Sequence, residues 1–175
     1  MNVTIQPGKL AGTIPAIPSK SYAHRALICA AFASNDTEIL LDQINSDIEA
    51  TVDCLCALGA EITAGSRGYH VSPASHIPSN ALLPCRESGS TLRFLLPVVG
   101  ALGVDAEFRL EGRLGKRPLS PLWEEMNRMG CSLTRSADGS IHCSGKLRSG
   151  TYQMAGNVSV NSYPDCFLPE HLWMV

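Results

Sequence analysis

The chain has 175 residues, 45% apolar and 17% charged, which excludes a disordered polymer and fits one domain with a sizeable core or two very small ones. Fourteen Lys and Arg against sixteen Asp and Glu give a net charge of -2, so a general nucleic-acid coat is excluded and any anion site has to be local. The longest uncharged apolar stretch, Phe94–Val104, is too short to span a bilayer, and no basic segment followed by an apolar run opens the sequence; the expectation is a cytoplasmic protein that contacts neither membrane nor nucleic acid.

Helical periodicity first appears at Ser21–Ala33, where Ala23, Ala26, Leu27, Ala30 and Ala31 make one apolar stripe. A second helix is expected over Asp47–Leu58, with Ile48, Val52, Leu55 and Leu58 on its apolar face and Gly59 as its stop. Thr91–Ala101 carries Leu92, Leu95, Leu96 and Val99, and Pro97 is expected to kink it or remove one backbone bond. Pro118–Met129 opens on a first-turn proline, ends at Gly130, and buries Leu119, Leu122, Trp123, Met126 and Met129. Ala106–Glu111 alternates as a half-buried strand; Asn2–Ile5, Glu38–Leu41, Glu61–Thr63, Tyr69–Ser72, Ser132–Arg135 and Ser140–Ser144 are shorter candidates. Helices alternating with strand pairs indicate an α/β or α+β layered domain.

A repeat runs through this pattern. Leu55–Thr63 and Met126–Thr134 share one layout; Gly59 and Gly130 lie 71 residues apart, as do Gly68 and Gly139 in the turns that follow. The segments then end His-Val-Ser and His-Cys-Ser, which points to a duplicated folding unit packed side by side. Seven cysteines are scattered with no CxxC or HExxH spacing; they are expected to be buried free thiols, not zinc ligands, and no metal or cofactor is expected.

Three places set basic side chains beside a helix start. Pro18-Ser-Lys-Ser21 leads into the first helix, with Ser19 or Ser21 as cap, Lys20 in the first turn and Arg25 a turn later. A lysine there opposes the helix dipole, which suggests an anion that it serves. Glu87-Ser-Gly-Ser-Thr91, followed by Arg93, is a backbone cradle for phosphate with hydroxyl donors. Gly112-Arg-Leu-Gly-Lys-Arg-Pro118 is a basic loop with Arg117 at the door of the fourth helix. Together they suggest one or two anionic ligands held by Lys20, Arg25, Arg93 and Arg117. A nucleotide P-loop is excluded, because neither segment has its glycines followed by Lys-Ser or Lys-Thr.

Pro18-Ser-Lys-Ser-Tyr-Ala-His-Arg-Ala-Leu27, Glu87-Ser-Gly-Ser-Thr-Leu-Arg93 and Gly112-Arg-Leu-Gly-Lys-Arg-Pro-Leu119 strongly resemble the 5-enolpyruvylshikimate-3-phosphate (EPSP) synthase family, in order and approximate spacing, over residues 1 to about 159. The sister UDP-N-acetylglucosamine enolpyruvyl transferases carry Lys-Asn where Lys20-Ser21 stands, and use a loop cysteine that Glu111–Arg117 lacks. The resemblance implies an enolpyruvyl transferase-like fold of two domains, each of three βαβαββ units, of which the 71-residue period is two. It implies transfer of the enolpyruvyl group from phosphoenolpyruvate to the 5-hydroxyl of shikimate 3-phosphate without cofactor, by a protein monomeric at full length. Residue by residue, it implies that Lys20 contacts phosphoenolpyruvate and shares in proton transfer, while Arg117 grips that substrate and Gly89 lines its site. Ser21 and Arg25 hold the shikimate phosphate and carboxylate side, Ser90 and Ser159 reach the shikimate phosphate, and Arg93 supports the phosphoenolpyruvate site. His24 stands where many members have Asn and is expected to be structural.

The pattern fails after Val158-Ser159, where the family continues Val-Ser-Ser-Gln into an apolar helix. With suitable codons, and TCA for Ser159, Val160–Leu168 can be back-translated so that regrouping by one base reads Ser-Gln-Phe-Leu-Ser-Gly-Leu-Leu-Phe, the family's continuation, so a one-base deletion near codon 159 is the expectation, against a placed boundary or a divergent ending. On this reading 1–18 is a strand segment that packs with a second domain, 19–159 an incomplete first domain, and 160–175 a non-native tail. The chain alone is then expected to turn over negligibly and to be weakly stable or to associate. The alternative from another class is a non-catalytic domain that binds shikimate 3-phosphate or another phosphate ester.

Overall fold

Two stretches of sequence with one layout fold alike. The computed structural model describes residues 4, 8–9, 11–13 and 19–152. The first unit runs α1 (Lys20–Ala31), β1 (Thr37–Leu40), α2 (Ser46–Ala57), β2 (Glu61–Gly65) and β3 (Gly68–Ser72). The second runs β4 (Asn80–Arg86), α3 (Gly89–Leu102), β5 (Asp105–Leu110), a 3-10 turn at Leu114–Lys116, α4 (Leu122–Arg128), β6 (Cys131–Arg135) and β7 (Ile141–Gly145). The second is a complete βαβαββ unit; the first shows αβαββ among the described residues. Their sheets have the orders β1-β3-β2 and β4-β5-β7-β6, so β1, β2 and β3 match β5, β6 and β7. The match extends to register, since Thr37 pairs with Val71 as Ala106 pairs with Cys143. The candidate strand Asn2–Ile5, apart from Thr4, and the tail 160–175 lie outside the described residues.

Local chemistry sets the helix ends. Asn45 accepts from the N–H groups of Asp47 and Ile48 at 3.1 Å each, capping α2, while Asp47 and Glu49 sit favourably in its positive first turn. Ser88 caps α3 through the Thr91 N–H, and Gly103 closes that helix in the left-handed conformation. Gly59 and Gly130, with φ of 104° and 112°, follow α2 and α4 as the duplicated layout predicts. Helix α3 runs on through Pro97, and every residue from Thr91 to Gly100 is buried; close packing holds the turn whose donor proline removes. Helix α4 begins after Pro121, not at Pro118. On α1 the stripe differs from expectation: Ala26 is exposed, and His24 and Ile28 take the buried face with Ala23, Leu27, Ala30 and Ala31.

Strand β4 is absent from the sequence reading, because Leu82-Leu83-Pro84 breaks the alternation. Its place explains the proline: among the described residues β4 is an edge strand paired only with β5, and an edge strand tolerates a missing N–H. Leu83 and Cys85 face inward, Leu82 faces out, and the register shifts between Pro84 and Arg86, which has φ of 51°. That unusual conformation is held by α2, whose Glu49 and Asp53 accept from the Arg86 guanidinium at 3.0 and 2.6 Å. Helix α2 thus packs on β2 of its own sheet and on β4 of the other. One apolar core, including Leu27, Ile48, Leu55, Leu92, Leu95, Phe108 and Ile141, runs through both units. Each such side chain contributes roughly 1.5–3 kcal/mol when fully buried.

The thiols divide. Cys54, Cys85, Cys131 and Cys143 are buried, but Cys29 and Cys56 are exposed, against the expectation of burial; Cys166 lies outside the described residues. Among the described residues, no helix is long and apolar enough to cross a membrane.

Candidate functional site

Helices α1, α2 and α3 bring their N-termini to one end of the molecule. Lys20 Nζ donates to the Asp47 carboxylate at 2.5 Å, and one turn on His24 Nδ1 meets Thr51 Oγ1 at 2.7 Å. Both pairs span the same sequence separation, so α1 and α2 lie parallel and in step. Thr51 Oγ1 lies 2.7 Å from Thr91 Oγ1, and the Thr91 hydroxyl is also 3.3 Å from the Asp47 carbonyl, which adds the first turn of α3. Asp47 therefore stands between Lys20 and the start of α3, its carboxylate on one and its carbonyl on the other.

Gly89, first residue of α3, lies beneath two guanidinium groups. A Cβ there would stand 2.9 Å from Arg93 Nη1 and 3.1 Å from Arg117 Nη1. Arg93 is buried and donates to the carbonyls of Gly89 at 3.2 Å and Pro118 at 2.9 Å. Burial first, and the Arg117 charge second, lower its pKa from the ordinary guanidinium value. Two cations held together at the positive end of a 14-residue helix repel one another and attract an anion. Glycine, with no Cβ, lets both guanidiniums come close to its backbone.

The basic loop is fastened to this helix start. The Glu111 N–H donates to the Arg86 carbonyl at 2.7 Å, and the Arg113 N–H to Glu87 Oε1 at 3.3 Å. Glycine is favoured at Gly112, where φ is 54° and a Cβ would push the Glu87 carboxylate aside. On the far side Arg135 donates to the Gly115 carbonyl while lying 5.7 Å from the centre of the Trp123 ring, and a Cβ on Gly115 would stand 3.1 Å from the Gly139 carbonyl.

All three basic segments expected from sequence are thereby joined. Lys20, Ser21 and Arg117 are exposed, Gly89, Ser90 and Arg25 half-buried and Arg93 buried; Ser159 lies outside the described residues. The Arg25 guanidinium lies 4.9 Å from the centre of the Phe94 ring. One expectation changes: the charge answering Lys20 is an internal carboxylate, Asp47, and Ser19 holds the cap position without a side-chain bond. Asp47, Thr51 and Glu87 were not singled out in the sequence. Thr51 alone carries a visible signal, a polar residue between Ile48 and Leu55 on an apolar stripe. His24 is fully buried, and its pKa falls to about 4, chiefly through desolvation; Asp47 opposes the shift and Lys20 and Arg25 add to it. Among the described residues, no cluster of three or more His, Cys, Asp or Glu is placed to hold a metal ion.

The family whose pattern matches residues 5–162 is described as EPSP synthase (3-phosphoshikimate 1-carboxyvinyltransferase). The chain is 36% identical over 168 residues to 3-phosphoshikimate 1-carboxyvinyltransferase of Clostridium beijerinckii, covering 90% of this chain and 38% of that protein. Against the protein of that name from Clostridium kluyveri it is 38% identical over 159 residues, covering 90% and 37%. The chain thus spans under two fifths of these relatives' length. In fold it is similar to a crystal structure of EPSP synthase from Acinetobacter baumannii, with a TM-score of 0.72 at 18% identity over 87% of this chain and 36% of that one.

Proposed function

The chain belongs to the EPSP synthase family, and from that premise we propose that it binds phosphoenolpyruvate and shikimate 3-phosphate for enolpyruvyl transfer. In that reaction the 5-hydroxyl oxygen bonds to C2 of phosphoenolpyruvate and gives up its proton to a base, while C3 takes a proton from an acid. Loss of inorganic phosphate from C2 and of a proton from C3 then leaves the enol ether. Fixed cations stabilise the charge that develops on phosphate and carboxylate.

The observation that carries this reading is the pair of guanidiniums over Gly89 at the start of α3. Arg117, exposed and on a fastened loop, grips phosphoenolpyruvate; Arg93, buried behind it, fixes the loop through Pro118 and adds charge. Lys20 reaches the same ligand by exchanging its Asp47 partner for it and shares in proton transfer, with Asp47 receiving the ammonium when the ligand leaves. Ser21 and Arg25 serve the shikimate phosphate and carboxylate side, and Ser90 and Ser159 the shikimate phosphate. The chain is read as a cytoplasmic protein.

Calorimetry on the 175-residue chain with shikimate 3-phosphate, with and without phosphoenolpyruvate, tests the proposal beside a phosphate-release assay. Binding without turnover is expected, because the chain spans under two fifths of the length of the relatives it matches. Arg117→Ala should weaken phosphoenolpyruvate about a hundredfold, the scale of losing a charged, bidentate contact, with an unchanged melting temperature. A chain that binds neither compound sinks the reading. A chain that binds shikimate 3-phosphate but never phosphoenolpyruvate is a phosphate-ester binder instead.

A further inference from the structure

The line of side chains behind the site is longer than packing requires. His24 of α1, Thr51 of α2 and Thr91 of α3 are all buried, joined by two contacts of 2.7 Å, and a third of 2.7 Å links Thr91 to Ser88, the cap of α3. His24 Nε2 has no hydrogen-bond partner among the described residues. A buried imidazole with one idle nitrogen is a poor choice for stability, since an apolar side chain there would bury no unpaired polar atom. What His24 gains is the bond to Thr51.

Proton counting gives the chain a direction. With the proton on Nδ1, His24 donates to Thr51, Thr51 to Thr91 and Thr91 to Ser88, and the idle Nε2 is a bare lone pair. With the proton on Nε2, a buried N–H is stranded and Thr51 has to donate back to Nδ1, while Thr91 keeps Ser88 and the Asp47 carbonyl as acceptors. The first arrangement strands only an acceptor and the second a buried donor, so the first carries the milder defect.

We propose that His24 is a positioning residue: as the neutral Nδ1–H tautomer it orders Thr51, Thr91 and Ser88, and so fixes the Gly89 and Ser90 N–H groups against Lys20. This rests on the reading of the α3 start as an anion site. The residue touches no ligand. It sets the span between the Lys20 end of the site, on its own helix, and the Arg93–Arg117 end.

The test uses the 15N-labelled 175-residue chain, with inorganic phosphate as the probe. Nitrogen spectra at pH 7 should show Nδ1 protonated. H24L should melt no lower than the unmodified chain, because the idle nitrogen is gone, yet shift the Gly89 and Ser90 amide resonances in phosphate-free protein. It should also weaken phosphate about tenfold, the scale of one buried hydrogen bond. H24N presents a donor where Nδ1 stood and should restore both amides and affinity; T51V should reproduce H24L. A role in packing alone moves stability and affinity together and is not rescued by Asn. Unmoved amides in H24L, equal losses in H24L and H24N, or an Nε2–H tautomer overturns the proposal. If the unmodified chain binds no phosphate while the amides shift as stated, the anion-site reading falls and the positioning role stands.

Discussion

The two units put opposite chemistry on equivalent helices. Ser19 and Ser88 hold the same cap position, followed by Lys20 and Gly89, then Ser21 and Ser90; four residues after the first of each pair stand His24 and Arg93, then Arg25 and Phe94. Where α1 begins with a cation, α3 begins with a glycine that admits a ligand. Where α1 has Arg25, α3 has Phe94, the ring on which that guanidinium lies. The helices are complementary, and on the proposed function the contrast divides the labour of anion binding within a duplicated scaffold: one copy supplies charge on a long side chain, the other supplies backbone.

The sharpest way to break the equivalence is at the two glycines of the hairpins. A Cβ on Gly68 would stand 2.0 Å from the Ile39 carbonyl oxygen, at φ of 136°, whereas Gly139 has φ of 92° and open surroundings. Gly68→Ala should cost about 3 kcal/mol or more, by backbone displacement of β1. Gly139→Ala should cost about 1 kcal/mol, from conformation alone. Urea denaturation of both variants checks the order; equal losses would mean that β1 does not pack as β5 does.

Next in size is the pH response of the His24–Arg93 position. The folded His24 stays neutral down to about 4, while the unfolded one takes a proton near 6.5. The unfolded chain thus binds more protons between these values, so stability falls as pH drops through that window and levels off below it, by about 3 kcal/mol in all. H24N should flatten this part of the curve, compared by denaturation at pH 7 and pH 4.5. A mutant curve parallel to that of the unmodified chain would mean that His24 is solvated.

The smallest expected difference lies at the caps. Ser88→Ala removes the bond to the Thr91 N–H and should cost about 1 kcal/mol, whereas Ser19→Ala removes no side-chain cap bond and should change stability by less than about 0.5 kcal/mol. Thermal melts of the two variants sharpen the comparison.

Periodicity and glycine stops placed four helices within a few residues, because both are local effects. The repeat also transferred: Gly59 and Gly130 do the same work, and β1, β2 and β3 match β5, β6 and β7. Strand β4 was illegible, since its proline is tolerated only by its edge position, which is a property of the sheet. The basic residues Arg93 and Arg117 were legible as a cluster because helix starts attract anions. Asp47 facing Lys20, and the His24–Thr51–Thr91 line, depend on how α1, α2 and α3 lie together, and no local pattern encodes that. His24 was read as structural from the resemblance, and its burial agrees; its reach into α3 became visible only in three dimensions.

The hairpins of the two units differ by one residue. Gly65 and Gly68 pair around two residues in the first, while in the second the Ser136 N–H closes on the Ser140 carbonyl around three. The third is Gly139, whose carbonyl meets Gly115 of the basic loop. One added residue has turned the tip of a hairpin into a seat for a neighbouring segment. The second copy could then acquire a cationic arm without altering its sheet, and that arm's reach can be retuned by substitutions at Gly115, Arg135 and Gly139.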